Sequence, residues 1–195
     1  MDQSTVNLAS TIRALVEVVA PAVDPHNARA REQLNLSVDH LSFLLERIDH
    51  LHERHYFELR HRFELASTLL AETKDEQFGA REALRRVLED CIDQIGASEE
   101  QAQTGMALAM PIPIATLRHC LAEMSVAIAD MVRAGQTLSS DARDRIERCV
   151  LAQSGASIAF ERVWYVPLGF DAHARDMGTL MDVFPERRGG GIAAR

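Results

Sequence analysis

Between Ala28 and Ala71 the chain has no glycine and no proline, while Leu34, Val38, Leu41, Leu45, Ile48, Leu59 and Phe63 recur at helical spacing. Such a stretch is helical: the two residue types that interrupt intrahelical hydrogen bonding are missing, and an apolar stripe returns about every three to four residues. As one continuous helix it would be roughly 60 Å long. A compact globule of this chain length has a radius of gyration of only about 16 Å. Either the helix breaks near Asp49–His50, or the protein is an elongated bundle whose overhang a second copy covers.

The flanking sequence predicts more of the same. A first helix runs from about Ser4 to Ala20, with Ile12, Leu15, Val16 and Val19 on one face, and stops at Pro21. "TKDE" has the form of a capping box between Thr73 and Glu76, opening a helix through Leu84, Val87, Leu88, Cys91, Ile92 and Ile95 to Gly96. After the proline-interrupted "MALAMPIPI", a helix from about Pro113 to Ala134 ends at Gly135 as a left-handed cap. Ser139 or Ser140 then caps a last long helix to about Tyr165, whose inward face reads Ile146, Cys149, Val150, Gln153, Ser157, Phe160 and Trp164. A short helix is expected to pack on the bundle by Leu180, Met181 and Phe184. Period-two strand patterns are absent. The expected fold is all-α, an elongated up-and-down helical bundle of about five helices forming a single domain over 1–185, with a disordered tail over 186–195.

Charge and cysteine usage narrow the partners. Against 21 basic residues stand 29 acidic ones, a net charge of -8 that opposes binding to phosphate backbones or anionic lipid. Neither nucleic acid nor membrane is expected as a partner, since no stretch reaches the roughly 18 apolar residues of a span. Cys91, Cys120 and Cys149 are far apart with no C-x-x-C spacing, as in reduced core residues, and no secretory signal opens the chain. The expected location is the cytoplasm.

"DHLHERHYFELRH", Asp49 to His61, holds four of the eight histidines. Projected at 100° per residue, His52, His55 and Tyr56 share the stripe of Leu41, Leu45, Ile48 and Leu59, whereas His50 and His61 fall on the other side. His52 and His55 form an i, i+3 pair that can reach one metal ion. A catalytic zinc, however, needs three protein ligands, and a di-iron bundle needs Glu-x-x-His on two helices. "ELRH", Glu58 to His61, is the single such motif and points the wrong way; His119 and Glu123 project outward. No metal or other cofactor is therefore expected. If Gln153, Ser157 and Trp164 of the last helix face His52, His55 and Tyr56, these six line a small polar cavity, the candidate ligand pocket. The plainer alternative is a hydrogen-bond network that fixes helix register. Met106 and Met110 suit either an apolar ligand or core filling.

No nucleophile elbow, P-loop, dinucleotide fingerprint or H-E-x-x-H is present, and no catalytic residue is assigned. The segment "STIRALVEVVAPAVDPHNARAREQLNLSVDHLSFLLER" resembles the start of a family of small helical bacterial proteins of unknown function, often encoded beside acyl-CoA-dehydrogenase-like and aminoglycoside-phosphotransferase-like proteins. The likeness lies in the aliphatic helix ending in Val19, Pro21 and Ala22, then Ala28, Arg29 and the amphipathic run through Leu41 and Leu44. It covers about a fifth of the chain, and the histidine-rich continuation departs from it. The resemblance implies an accessory role near acyl-CoA metabolism and no site residues. The leading expectation is a non-enzymatic homodimer that binds a small apolar ligand or a partner protein. Alternatives are a metal-dependent bundle enzyme using His52 and His55, and a structural dimerisation module. The dimer is expected because Phe57, opposite the main stripe, would otherwise be exposed.

Overall fold

The computed structural model describes residues 3–96, 112–173 and 177–183. Met106, Met110, Phe184 and the 186–195 tail lie outside these. Among the described residues every regular element is helical and none is a strand, so the all-α class holds. The chain divides into two compact units, Met1–Leu51 with Glu161–Arg195, and His52–Phe160.

The first unit opens with α1 (Gln3–Ala14), which widens into a π-helical turn over Leu15–Val19 and regains α geometry in α2 (Ala20–Ala22). The stop expected at Pro21 is thus passed by one residue. The wide turn, closed by the Ala20 N–H on the Leu15 carbonyl, shifts the hydrogen-bond register and places Pro21 in a new first turn, where its missing N–H is not needed. The Asp24 carboxylate then accepts from the His26 N–H at 2.9 Å, and Asn27 caps α3 (Ala28–Arg47) by accepting from the Ala30 N–H at 3.0 Å. α3 packs back along α1. Leu8, Ile12, Leu15, Leu34, Val38 and Leu41 are half-buried between them, yet no residue of α1, the π turn, α2 or α3 is fully buried.

The long second helix does break where its length required a decision. Ile48–His50 form a 3₁₀ turn between α3 and α4 (Leu51–Glu72), with Arg47 at φ -106° and ψ -16°. Neither glycine nor proline is involved.

The carboxy-terminal part of the first unit continues from Glu161 to the end of α7 (Ser140–Tyr165), then a 3₁₀ turn over Val166–Leu168 that Gly169 ends at φ 74°. Arg162 clamps Asp171 in a fork of 2.8 and 3.1 Å, and the His173 N–H adds a bond of 2.9 Å to the same carboxylate. Hydrogen bonding from Arg162 lowers the Asp171 pKa to about 2 from its ordinary 3.8. Because the folded value is depressed, the clamp contributes above pH 3.8 and is lost as pH falls through about 2. The protection of the Gly169–His173 amides, taken relative to the intrinsic exchange rate at each pH, should therefore fall between pH 3.8 and about 2 in the wild type, and show no such step in Asp171→Asn. α8 (Leu180–Val183) carries a buried Leu180, and Asp182 accepts from the Thr179 N–H and hydroxyl at 2.8 and 2.9 Å.

In the second unit, α4 from His52, α5 (Gly79–Ile95), α6 (Ile114–Gly135) and α7 as far as Phe160 share one core. Leu59, Phe63 and Leu69 meet Leu84 and Cys91, Leu117, Met124 and Met131, and Ile146 there, almost all as the apolar periodicity requires. Two local expectations are corrected. Thr73 does not cap a new helix: its hydroxyl donates to the Leu69 carbonyl at 2.6 Å, finishing α4, and α5 begins only at Gly79. Gly135 is the last residue of α6 and lacks a positive φ; a Cβ there would lie 2.6 Å from Ile146 Cδ1, so the glycine serves close helix approach, not a left-handed cap. Gly96, at φ 63°, is the left-handed cap of α5. Ser139 starts α7, its hydroxyl accepting from the Ala142 N–H at 3.3 Å.

Candidate functional site

The six pocket residues are divided between the two units. His52, His55, Tyr56, Gln153 and Ser157 belong to the second, and Trp164 belongs to the first. Within the second unit, His52, His55, Tyr56 and Gln153 are half-buried. Ser157 is exposed and does not point inward. The physical reason lies in the surroundings of α7: from Leu151 to Ala159 only Gln153 and Ser154 have any substantial cover.

Each histidine already has a local task. His52 Nε2 is 2.9 Å from the Ile112 carbonyl; a carbonyl can only accept, so the proton resides on Nε2. This bond ties α4 to the residue just before Pro113, the N-cap of α6. His55 Nδ1 is 3.5 Å from Glu58 Oε2, while the other oxygen of Glu58 accepts from Arg54 Nε at 2.7 Å. Glu58 is thus held by Arg54 at i, i+4 spacing and lies beside the His55 ring at i, i+3 along one helix face. His61 bonds the Phe57 carbonyl at 3.0 Å through Nδ1 and lies 4.1 Å from the Phe57 ring. Phe57 in turn stacks on Phe160 with centroids 4.3 Å apart, so its ring is covered within its own unit and gives no reason for a dimer.

No group of three His, Cys, Asp or Glu side chains able to hold a metal exists among the described residues. With Nε2 of His52 donating, a metal at His52 and His55 would displace a protein hydrogen bond. Replacing both by leucine should change stability by about 1 to 3 kcal/mol in either direction, since the polar groups lost are offset by apolar volume. Thermal melts of wild type and double variant, each with zinc and with EDTA, should show no metal response; a zinc-dependent rise of several degrees confined to the wild type would overturn this.

Nucleophilic chemistry fares no better. Cys91, Cys120 and Cys149 are free and buried. The Cys91 thiol is pushed up by its hydrogen bond with Cys120 and by burial, and the Cys149 thiol by burial, which lowers the thiolate fraction of both; the same hydrogen bond draws the Cys120 thiol down, but that side chain is fully buried.

Pattern reading missed an aromatic cluster in the first unit. Trp164 is buried, with Phe43 against its face edge-on at 6.5 Å and 87°, and Phe43 stacks on Tyr165 at 5.6 Å. The Arg47 guanidinium sits 5.6 Å from the Trp164 ring and 5.8 Å from Phe43, and its Nε donates to the Trp164 carbonyl at 3.0 Å. Burial lowers the Arg47 pKa, opposed by Glu46. The i, i+4 spacing of Phe43 and Arg47, on the side of α3 away from its main stripe, was the signal available.

No known protein family, no curated protein and no solved structure matches the chain.

Proposed function

We propose that this is a non-enzymatic cytoplasmic protein that acts by binding a partner protein through an exposed helix face, as an accessory to another protein's activity. The observation that carries this is on α7. Leu151 and Ile158 are 72% and 59% exposed on one face, with Gly155 between them and, among the described residues, no neighbour beyond its own helix backbone within 4 Å of where its Cβ would lie. Mid-helix glycine costs about 1 kcal/mol relative to alanine, and no contact among the described residues requires it at Gly155. A bare backbone flanked by two large aliphatic side chains fits a partner helix that approaches closely. The free, buried thiols suit a reducing compartment. An accessory place is also what the N-terminal resemblance implies.

The test uses the full chain as bait. A Leu151→Glu, Ile158→Glu protein should melt like the wild type, because both side chains are already in solvent. Proteins retained from a lysate by the wild type should be lost from the variant; identical capture by the two would refute the assignment. Native mass spectrometry covers the small-ligand version, in which an apolar molecule stays bound and adds its mass to the purified chain.

A further inference from the structure

Cys91 and Cys120 are more than two separate core residues. α5 and α6 pack along one another, and Cys91 Sγ lies 3.9 Å from the Cys120 carbonyl oxygen, so both side chains occupy one site between the helices. They share the core of Leu88, Leu117 and Met124, both are free, and at 1% and 0% exposure neither meets solvent. A buried cysteine on its own behaves as a small apolar side chain. Two in contact on different helices also present what a disulfide needs, because a bridge forms without backbone movement only between side chains already held together. The Cys149 thiol on α7 is the contrast: burial and Glu72 act on it, and no second thiol does.

The pair is chemically unequal. The hydrogen bond between the two sulfurs favours the thiolate on Cys120 and the thiol on Cys91. Cys120 is therefore the better nucleophile and Cys91 the partner that keeps its proton. Access comes from the end of α5. Cys91 opens the last stretch of that helix, residues 91–95, before the left-handed Gly96, and helix ends open at lower free energy than helix centres. A small uncharged oxidant reaches the site through such openings.

We infer that Cys91 and Cys120 form a redox-responsive staple, open as two thiols in the reduced protein and closed by a peroxide into a disulfide that joins α5 to α6. Closure takes two steps. The Cys120 thiolate attacks one peroxide oxygen; the O–O bond breaks, hydroxide leaves, and Cys120 becomes a sulfenic acid. The Cys91 sulfur then attacks the Cys120 sulfur; the S–S bond forms, the S–O bond breaks, and water leaves with the Cys91 proton. The two thiols have together lost two electrons, and the peroxide has become two waters, its hydroxide having taken up the proton that Cys120 gave up. A thiol reductant reopens the bridge by exchange. Closure ties residues 29 apart in sequence and removes chain entropy from the unfolded state, so the second unit should melt roughly 5 to 15 °C higher.

The test treats the reduced full chain with hydrogen peroxide under native conditions and then alkylates the thiols that remain. Peptide mapping should find Cys91 joined to Cys120, with Cys149 alkylated. The higher melting temperature and slower amide exchange over residues 91–95 should accompany the bridge, and both should disappear with dithiothreitol. Cys91→Ala should give no bridge and no rise in melting temperature, whereas Cys149→Ala should behave as the wild type does. The wild-type map stands whether or not either variant folds. The inference is overturned if peroxide leaves Cys91 and Cys120 open to alkylation, joins either of them to Cys149 or to another chain, or carries them to sulfinic acids without a bridge. A bridge that forms only in urea-unfolded protein, or one that leaves the melting temperature unchanged, overturns it equally.

Discussion

A Trp164→Ala protein is expected to lose about 3 to 5 kcal/mol of stability, the range for removing a buried indole, measured as a lower urea midpoint. Trp164 is 1% exposed, the deepest residue of a unit whose other helices bury little. Its removal strips Phe43 of its edge-on partner and Arg47 of a ring to lie over, although the backbone carbonyl that Arg47 Nε bonds remains. Amide exchange should therefore rise along Ala28–Arg47, where Phe43 and Arg47 reside. Unchanged protection there would show that the cluster does not hold α3.

Phe63→Ala carries the second large effect, again about 3 to 5 kcal/mol, and the contrast with Phe57→Ala makes it informative. Phe63 is 1% exposed within the core of the second unit, so its truncation leaves a cavity among packed aliphatic side chains. Phe57 is half-buried and held chiefly by ring contacts with His61 and Phe160, so its truncation should cost clearly less, about 1 to 2 kcal/mol. Chemical denaturation of the two single variants measures both. Equal losses would mean that the stack of Phe57 on Phe160 holds α4 as firmly as its core stripe does.

Much of the local structure was legible in the sequence because it depends on local causes. The apolar stripes of α4, α5 and α6 became the core since helical period alone fixes which side chains share a face. The cap at Ser139 and the helix end at Gly96 follow from short-range hydrogen bonding and backbone sterics, and the Asn27 cap, of the same local origin, went unread. The 3₁₀ turn at Ile48–His50 was one of two outcomes that length left open, and no residue there announces it.

What the tertiary structure decided were questions of neighbours. Gly135 reads as a helix-ending glycine until Ile146 is found against it, and Thr73 reads as a cap until its hydroxyl turns back to Leu69. His52 shares a stripe with His55, but whether it meets a metal, a ligand or a carbonyl depends on a residue sixty positions away, Ile112. Ser157 lies on the same projected face as Gln153, and only the end of cover along α7 leaves it in water. A sequence fixes each side chain's direction on its own helix through steric and hydrogen-bond terms that act within one or two turns. Which atoms lie opposite is set by long-range packing, where many weak contacts compete and no single residue determines the outcome.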